Sequence, residues 1–137
     1  ISAIKKDMQK AMQKDFSVFR TGKTMNEGLK DLTDINERLK NAVLEDKSHY
    51  FNTNFIEALE LENLMACALA TAYSATNRTE TRGAHAREDF PKHDNKNWIK
   101  HSLYFKERGK KENLLSSRPV NMKPEKVDTF KPKERKY

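Results

Sequence analysis

A chain of 137 residues has the size of one ordinary domain and is too short to hold two typical ones. Charged residues make up 34% and hydrophobic residues 36%, with only four glycines and four prolines, so the composition favours helices. The net charge of +7 does not indicate a nucleic-acid module, because residues 106–137 hold 11 Lys and Arg against 5 Asp and Glu, which puts +6 in a Pro-interrupted tail.

Two further features bear on the compartment. No stretch approaches the roughly 20 apolar residues needed to cross a bilayer, and the first residues lack the pattern of a secretory signal. We therefore expect this chain itself to be soluble. Cys67 is the single cysteine and cannot form an internal disulfide, so its apolar neighbours predict a small buried side chain in a reducing compartment.

Apolar residues recur every three or four positions in the first segment, a spacing typical of one helical face. They are Ile1, Ile4, Met8, Met12, Phe16 and Phe19. This helix should end between Arg20 and Gly22, where glycine can take the conformation that closes a helix.

The same spacing returns in a second segment, for which Thr24 is the expected N-cap. Its apolar face consists of Met25, Leu29, Leu32, Ile35, Leu39 and Val43. Gly28 lies inside this helix and is expected to be a mild cost to its stability.

A third helix is expected to begin at Asn54, which together with Glu57 resembles a capping box. From Leu61 to Tyr73 it is apolar on nearly every side, so it should pack against neighbours on more than one side. Short connections between three such helices predict an antiparallel up-down-up bundle over residues 1–80. A coiled-coil hairpin extended by a partner is the alternative.

Residues 81–137 are expected to form a loop, two short strands and a basic tail within the same structural domain. The alternation from Trp98 to Phe105 fits a strand, and residues 114–120 could return beside it after a turn at Gly109. Prolines from Pro119 onward make the last dozen residues extended. The predicted fold class is therefore mainly α, a three-helix up-down-up bundle followed by a short β-hairpin and an extended C-terminal tail.

The densest polar cluster lies between Arg78 and Asp89. Arginine holds carboxylates through paired hydrogen bonds and histidine titrates near neutral pH, so such a cluster invites a catalytic interpretation. The spacing supports neither autonomous catalysis nor a metal site, since no H-E-x-x-H motif, cysteine pair or activated nucleophile is present. The residues that could be assembled into a metal site are His85, Asp89, His93 and His101.

We expect instead that Arg82 and Arg87 pair with carboxylates and carbonyls and fix a loop against a neighbouring surface. Gly83 would then permit a close or left-handed backbone. Glycine-rich nucleotide motifs and the G-x-S-x-G motif are missing from the sequence, which gives no sign of a nucleotide, phosphate or hydrolase site. His49 is expected to be exposed or to cap a loop.

This cluster closely resembles the C-terminal signature of succinate dehydrogenase flavoprotein subunits. The similarity covers RTETRGAHAREDFP at residues 78–91 and NWIKHSL at residues 97–103. It extends upstream to VFRTG at residues 18–22 and ELENL at 60–64, and downstream to RPVNM at 118–122 and PKERKY at 132–137. The sequence departs from the family at Thr81, His93 and Asn95, where Ser, Arg and Asp are common.

The resemblance implies an enzyme that oxidises succinate to fumarate with covalently bound FAD and passes electrons to an iron-sulfur subunit and then to quinone. Such a complex lies on the cytoplasmic face of a bacterial inner membrane or on the mitochondrial matrix side. In the family, FAD and the dicarboxylate bind in domains that precede this region. We therefore expect no catalytic, cofactor-binding or metal-binding residue and no FAD in this chain, which should be inactive alone.

Because so many Arg, Asp and His residues are confined to one non-helical stretch, our hypothesis is that the chain is a docking module. Residues 81–137 would pack on the bundle or on the FAD-binding domain of the same subunit. The other expected partners are the iron-sulfur subunit and, indirectly, the membrane anchor subunits, with no nucleic acid. The candidate interface residues are Arg78, Glu80, Arg82, Gly83, His85, Arg87, Asp89, Trp98 and His101. The alternatives are the C-terminal domain of fumarate reductase or L-aspartate oxidase, or a free-standing helical adaptor.

Overall fold

The computed structural model describes residues 1–106 and 113–133, which contain three helices and two small two-stranded sheets. The elements are α1 (Ser2–Asp15), β1 (Phe19–Arg20), α2 (Gly22–Lys40), α3 (Thr53–Asn77), β2 (Ala86–Arg87), β3 (Lys100–Lys106) and β4 (Asn113–Pro119). Among the described helices, none combines the length and the apolar character that a membrane span requires.

One apolar core holds the three helices together, because their periodic faces meet. Helix α2 packs against both α1 and α3, and α1 also contacts α3. The centre of the core is formed by Met25, Leu32, Leu61 and Met65, which are at most 1% exposed. Each such side chain stabilises the fold by about 1.5–3 kcal/mol relative to an exposed one.

The end of α1 lies earlier than predicted. The helix stops at Asp15 rather than between Arg20 and Gly22. The Arg20 guanidinium donates back to the carbonyls of Phe16 (2.9 Å) and Ser17 (2.7 Å), and β1 pairs in parallel with β2. The chain after α1 is thus drawn into a strand by a distant segment, which periodicity cannot reveal. Phe19, predicted on the helical face, is exposed.

The start of α2 also differs from the prediction. Thr21, not Thr24, is the N-cap, since the Thr24 amide donates to Thr21 Oγ1 and the Thr21 amide donates to Thr24 Oγ1, both at 3.2 Å. This reciprocal pair is a capping box with threonine in the position usually held by Glu or Gln. Gly22 therefore opens α2 instead of closing α1. Val43, predicted on the buried face, lies beyond α2 and is exposed.

Helix α3 begins one residue before the predicted start. Asn52 is its N-cap, and the side-chain oxygen accepts from the Phe55 amide at 2.8 Å, so the predicted capping box at Asn54 was wrong. Cys67 was also predicted wrongly, because it is exposed. Two positions after buried Met65, it falls on roughly the opposite side of the helix.

The predicted hairpin is confirmed, with β3 and β4 paired antiparallel along their full length. It packs on α3, where the rings of Tyr73 and Tyr104 stack with centroids 5.8 Å apart. The turn predicted at Gly109 lies outside the described residues. Residues 120–133 contain no helix or strand, in agreement with the predicted extended tail over the part of it that the structure describes.

Candidate functional site

The polar cluster of the sequence forms the connection between α3 and β3, residues 78–99, here termed the arginine loop. Within it, the Arg82 amide donates to the His85 carbonyl (2.9 Å) and the His85 amide donates to the Arg82 carbonyl (3.0 Å). Gly83 lies inside this turn with a φ of +58°, the left-handed conformation that the sequence predicted. Gly83 and Ala84 therefore form an exposed tip on a closed turn.

Glu80 organises the arginine loop from its centre. Its side chain is 0% exposed, and its carboxylate accepts from Arg78 at 2.6 Å, from Arg82 at 2.8 and 3.0 Å, and from the Asp94 amide at 2.8 Å. Burial alone would raise the pKa of Glu80, but these hydrogen bonds outweigh it and hold the pKa below its usual range. Glu80 is thus a buried, ionised carboxylate that joins two guanidinium groups.

Arg78 ties the loop to the hairpin. Its guanidinium donates to the carbonyls of Trp98 (3.1 Å) and Lys100 (2.6 Å), and it lies 4.9 Å from the centroid of the Trp98 ring. The Trp98 indole N–H in turn donates to the Thr79 hydroxyl at 3.1 Å. These contacts connect the end of α3 to the start of β3.

A second ion pair joins the loop to the start of α2. Arg87 is 3% exposed and donates to both carboxylate oxygens of Asp89 at 2.7 Å, and also to the Arg78 carbonyl at 3.0 Å. Asp89 accepts further from the Gly22 amide at 2.8 Å, in the first turn of α2, where the helix dipole favours negative charge. The hydrogen bonds from Arg87 lead these effects, and together they hold the pKa of Asp89 far below its usual range.

His85 connects the loop to the end of α1. Its Nδ1 lies 2.9 Å from Arg20 Nη1, and its Nε2 lies 3.2 Å from the Arg78 carbonyl. A guanidinium can only donate, so Nδ1 accepts and the proton resides on Nε2. Burial lowers the pKa of His85, and the positive charges of Arg20, Arg87 and Arg78 lower it further. The arrangement therefore requires a neutral imidazole.

We expect the chain to lose stability when His85 becomes protonated. Because the folded-state pKa is lowered from 6.5, the stabilisation is complete above that value and is lost as the pH falls through the lower folded-state pKa. His85→Gln should lower the free energy of unfolding by about 1 kcal/mol at neutral pH and reduce the loss on acidification. Urea unfolding at about pH 7.5 and about pH 5.5 measures both effects.

The matched control for this experiment is His49→Gln, because His49 is exposed, as the sequence predicted. It should keep the wild-type response to pH. A His85→Gln chain that responds to pH like the wild type would show that His85 does not carry this dependence.

The nine predicted interface residues differ in accessibility. Glu80 and Arg87 are buried by this chain itself, whereas the exposed members are Gly83, Asp89 and His101. The partly buried ones are Arg78, Arg82, His85 and Trp98. Arg82 also donates to the Asn95 side chain at 2.7 Å. The exposed and partly buried members are therefore accessible at the surface, while the two buried members fix the shape of the loop.

A cleft of about 660 Å³ opens between the arginine loop, the start of the hairpin and the tail. Basic and apolar side chains share its wall, among them Arg82, His101, Ile99, Val120, Met122 and Phe130. A lining of this kind suits a protein segment with both apolar and acidic side chains.

Arg20 and Gly22 belong to the site although periodicity assigned them to the end of a helix. Both lie in the VFRTG run at residues 18–22. These five residues were part of the family resemblance. The resemblance therefore pointed to this segment, whereas periodicity could not show that Arg20 contacts His85 and that Gly22 contacts Asp89.

The metal site that could be assembled from the sequence has no counterpart among the described residues. Within residues 1–106 and 113–133, no group of three or more His, Cys, Asp or Glu is placed to hold a metal ion.

The chain matches the family model described as fumarate reductase flavoprotein C-term over residues 5–137. It is 49% identical over 132 residues to the succinate dehydrogenase flavoprotein subunit of Coxiella burnetii, covering 96% of this chain and 22% of that protein. It is 44% identical over 138 residues to the mitochondrial succinate dehydrogenase (ubiquinone) flavoprotein subunit of Oryza sativa subsp. japonica, covering 99% and 22%.

Among solved structures, a chain of E. coli quinol fumarate reductase superposes with a TM-score of 0.86 at 30% identity, covering 95% of this chain and 22% of that one. The chain thus spans about a fifth of the length of the relatives that it matches.

Proposed function

Because the chain belongs to the family of fumarate reductase and succinate dehydrogenase flavoprotein C-terminal domains, we propose that it is the docking domain of a subunit that oxidises succinate to fumarate. In this proposal FAD and the dicarboxylate bind in the part of the subunit that precedes the chain. Electrons pass to an iron-sulfur subunit and then to quinone. The isolated chain is inactive.

The observation that carries the docking role is the pair of arginines around buried Glu80. Desolvating such charges costs several kcal/mol, so a buried ionic centre contributes little net stability to a loop. What it does contribute is a fixed shape of the loop. The tip at Gly83 and Ala84 is exposed and is held at its base. A rigid tip loses little conformational entropy on binding, which favours docking.

We propose that the tip and the adjacent cleft meet the FAD-binding domain of the same subunit and the iron-sulfur subunit. The membrane anchor subunits are then reached only indirectly. The complex lies on the cytoplasmic face of a bacterial inner membrane or on the matrix side of the mitochondrial one.

The proposal also includes an up-down-up course for the three helices. The ion pair between Asp7 and Arg38 (2.8 Å) supports it, since it joins the first half of α1 to the last turn of α2. Residues 1–80 then form the bundle, and residues 81–137 pack on it as loop, hairpin and tail.

Arg82→Ala in the full-length subunit should weaken assembly, because the variant removes the guanidinium at the edge of the tip and one partner of Glu80. We expect capture of the iron-sulfur subunit to fall about tenfold, as for an arginine at the centre of an interface. The measurements are a pull-down with a tagged iron-sulfur subunit and the content of covalently bound flavin.

Two further variants separate docking from folding. Arg38→Ala removes an arginine that pairs with Asp7 outside the arginine loop, and assembly should be unchanged. Ala84→Glu leaves the bonds of Glu80 intact and alters only the exposed tip, so it should impair assembly without lowering the unfolding midpoint. If the Arg82 and Ala84 variants both assemble, bind flavin and turn over like the wild type, the docking proposal is wrong.

A further inference from the structure

Helix α3 has two apolar faces, and residues 1–106 and 113–133 cover only one of them. The covered face consists of Leu61, Met65, Ala68, Ala72 and Ala75. On the other side, Phe55, Ile56 and Leu59 form a stripe at helical spacing and are 49%, 54% and 43% exposed. This stripe lies before the segment starting at Leu61, for which the sequence predicted neighbours on more than one side of α3, and within the described residues it remains half open.

The stripe continues into the connection between α2 and α3. Val43, Tyr50 and Phe51 are 82%, 85% and 102% exposed, and Val43 lines a cleft of about 510 Å³ together with Phe55. The apolar corner is defined here as Val43, Tyr50, Phe51, Phe55, Ile56 and Leu59. Each of its aromatic rings can bury about 150–250 Å². The three rings together can bury several hundred Å², the size of an apolar surface that usually marks an interaction site.

The backbone of Phe51 holds its ring in solvent. The residue has a φ of +50°, a left-handed conformation that is uncommon for a bulky side chain. The Asn52 side-chain amide fixes the turn by donating to the carbonyls of Asp46 and Ser48, both at 3.0 Å, while its oxygen caps α3. Such a conformation costs about 1–3 kcal/mol, and the fully exposed ring contributes no apolar burial within the chain to offset it.

We propose that the preceding part of the same flavoprotein subunit packs against the apolar corner. This inference rests on the proposed function, which makes the chain the C-terminal part of that subunit. The relatives are about five times as long as this chain, and the matching family model describes their C-terminal part. The preceding part is therefore large enough to cover the corner.

The position of α1 favours this occupant over a separate protein. Asp7 in the first half of α1 pairs with Arg38 in the last turn of α2, so the start of α1 lies near the end of α2 that leads into Val43. Polypeptide that leads into α1 thus arrives beside the corner. Exposed charges of both signs flank the corner in sequence, at Glu45, Asp46, Lys47 and Glu60, so the covering surface should be apolar with a polar rim of mixed charge.

Hydroxyl-radical footprinting of Tyr50 and Phe51 tests the proposal. The rates are compared between this 137-residue chain and the full-length flavoprotein subunit purified without its partners, with the urea-unfolded subunit as the reference for full access. We expect both rings to react about tenfold more slowly in the full-length subunit, since rings in an interface core lose nearly all their solvent access.

Three results would overturn the proposal. Equal rates in the chain and the subunit would leave the corner uncovered. Protection that appears only after the iron-sulfur subunit is added would assign the corner to that partner. Protection in the 137-residue chain that rises with its concentration would assign the corner to a second copy.

A variant provides an independent readout. Phe51→Ser should lower the unfolding midpoint of the full-length subunit by about 3 °C and leave that of the chain unchanged. Leu114→Ser, at an exposed apolar residue of the hairpin, is the control and should affect neither. The apolar corner is tested in the flavoprotein subunit alone, whereas the Arg82 variant is tested by capture of the iron-sulfur subunit. Failure of one proposal is therefore distinguishable from failure of the other.

Discussion

Glu80→Gln should lower the free energy of unfolding by about 3 kcal/mol, because it removes the charge between two partly buried arginines while keeping the volume of the side chain. The side chains of Arg78 and Arg82 are only 15% and 29% exposed, so water cannot fully replace the lost carboxylate. The glutamine amide group would also direct hydrogen-bond donors at guanidinium donors. Urea unfolding of the chain at neutral pH measures the loss.

The control is Glu37→Gln, at an exposed carboxylate that pairs with Lys40 on the surface of α2. Such a pair contributes at most about 1 kcal/mol. If Glu80 acts through Arg82, the double variant Glu80→Gln with Arg82→Ala should lose less stability than the sum of the two single variants. A Glu80 variant as stable as the Glu37 variant would show that the arginine loop does not depend on this carboxylate.

Periodicity predicted the elements that carry their own pattern. Helix α2, helix α3 and the hairpin appear where the sequence placed them, because their apolar spacing is local and is satisfied by burial. The helix ends were predicted less well, since hydrogen bonds decide them. Thr21 and Asn52 are the N-caps of α2 and α3. From the sequence alone, the neighbouring Thr24 and Asn54 are equally suitable as caps.

Strand β1 and the end of α1 could not be predicted from local sequence. Both depend on residues 85–88, which supply the partner strand and the imidazole that binds Arg20. Contacts over such a separation leave no periodic signal in either segment. The family resemblance at residues 18–22 marked the place without giving the reason.

The candidate site was predicted in part. The pairing of Arg82 and Arg87 with carboxylates and carbonyls, and the left-handed Gly83, were predicted correctly from residue chemistry. The sequence did not indicate which carboxylate lies at the centre. From the sequence alone, an arginine could pair equally well with Glu80, Glu88 or Asp89. Only the folded structure shows that the side chain of Glu80 is completely buried.

Gly28→Ala should lower the free energy of unfolding by about 2 kcal/mol, although alanine is the better helix former. A Cβ atom at Gly28 would lie 2.5 Å from Asp15 Cβ and 2.6 Å from Phe16 Cε2, too close for any side chain. Both residues are buried at the end of α1, and Arg20 holds that end through the Phe16 carbonyl. Helix α1 must therefore shift away from α2. The sequence predicted only a mild cost at this position.

Thermal and urea unfolding of the chain measure the effect of Gly28→Ala, with Thr33→Ala on the exposed side of α2 as the control for helix propensity. The control should stay within about 0.5 kcal/mol of the wild type. Adding Phe16→Leu to the Gly28 variant removes the ring carbon at 2.6 Å and should restore part of the loss. A Gly28 variant that gains about 1 kcal/mol, as alanine does at an open helical site, would mean that α1 and α2 do not approach this closely. Gly28 would then have no packing role, and the core would not depend on close contact between α1 and α2 at Gly28.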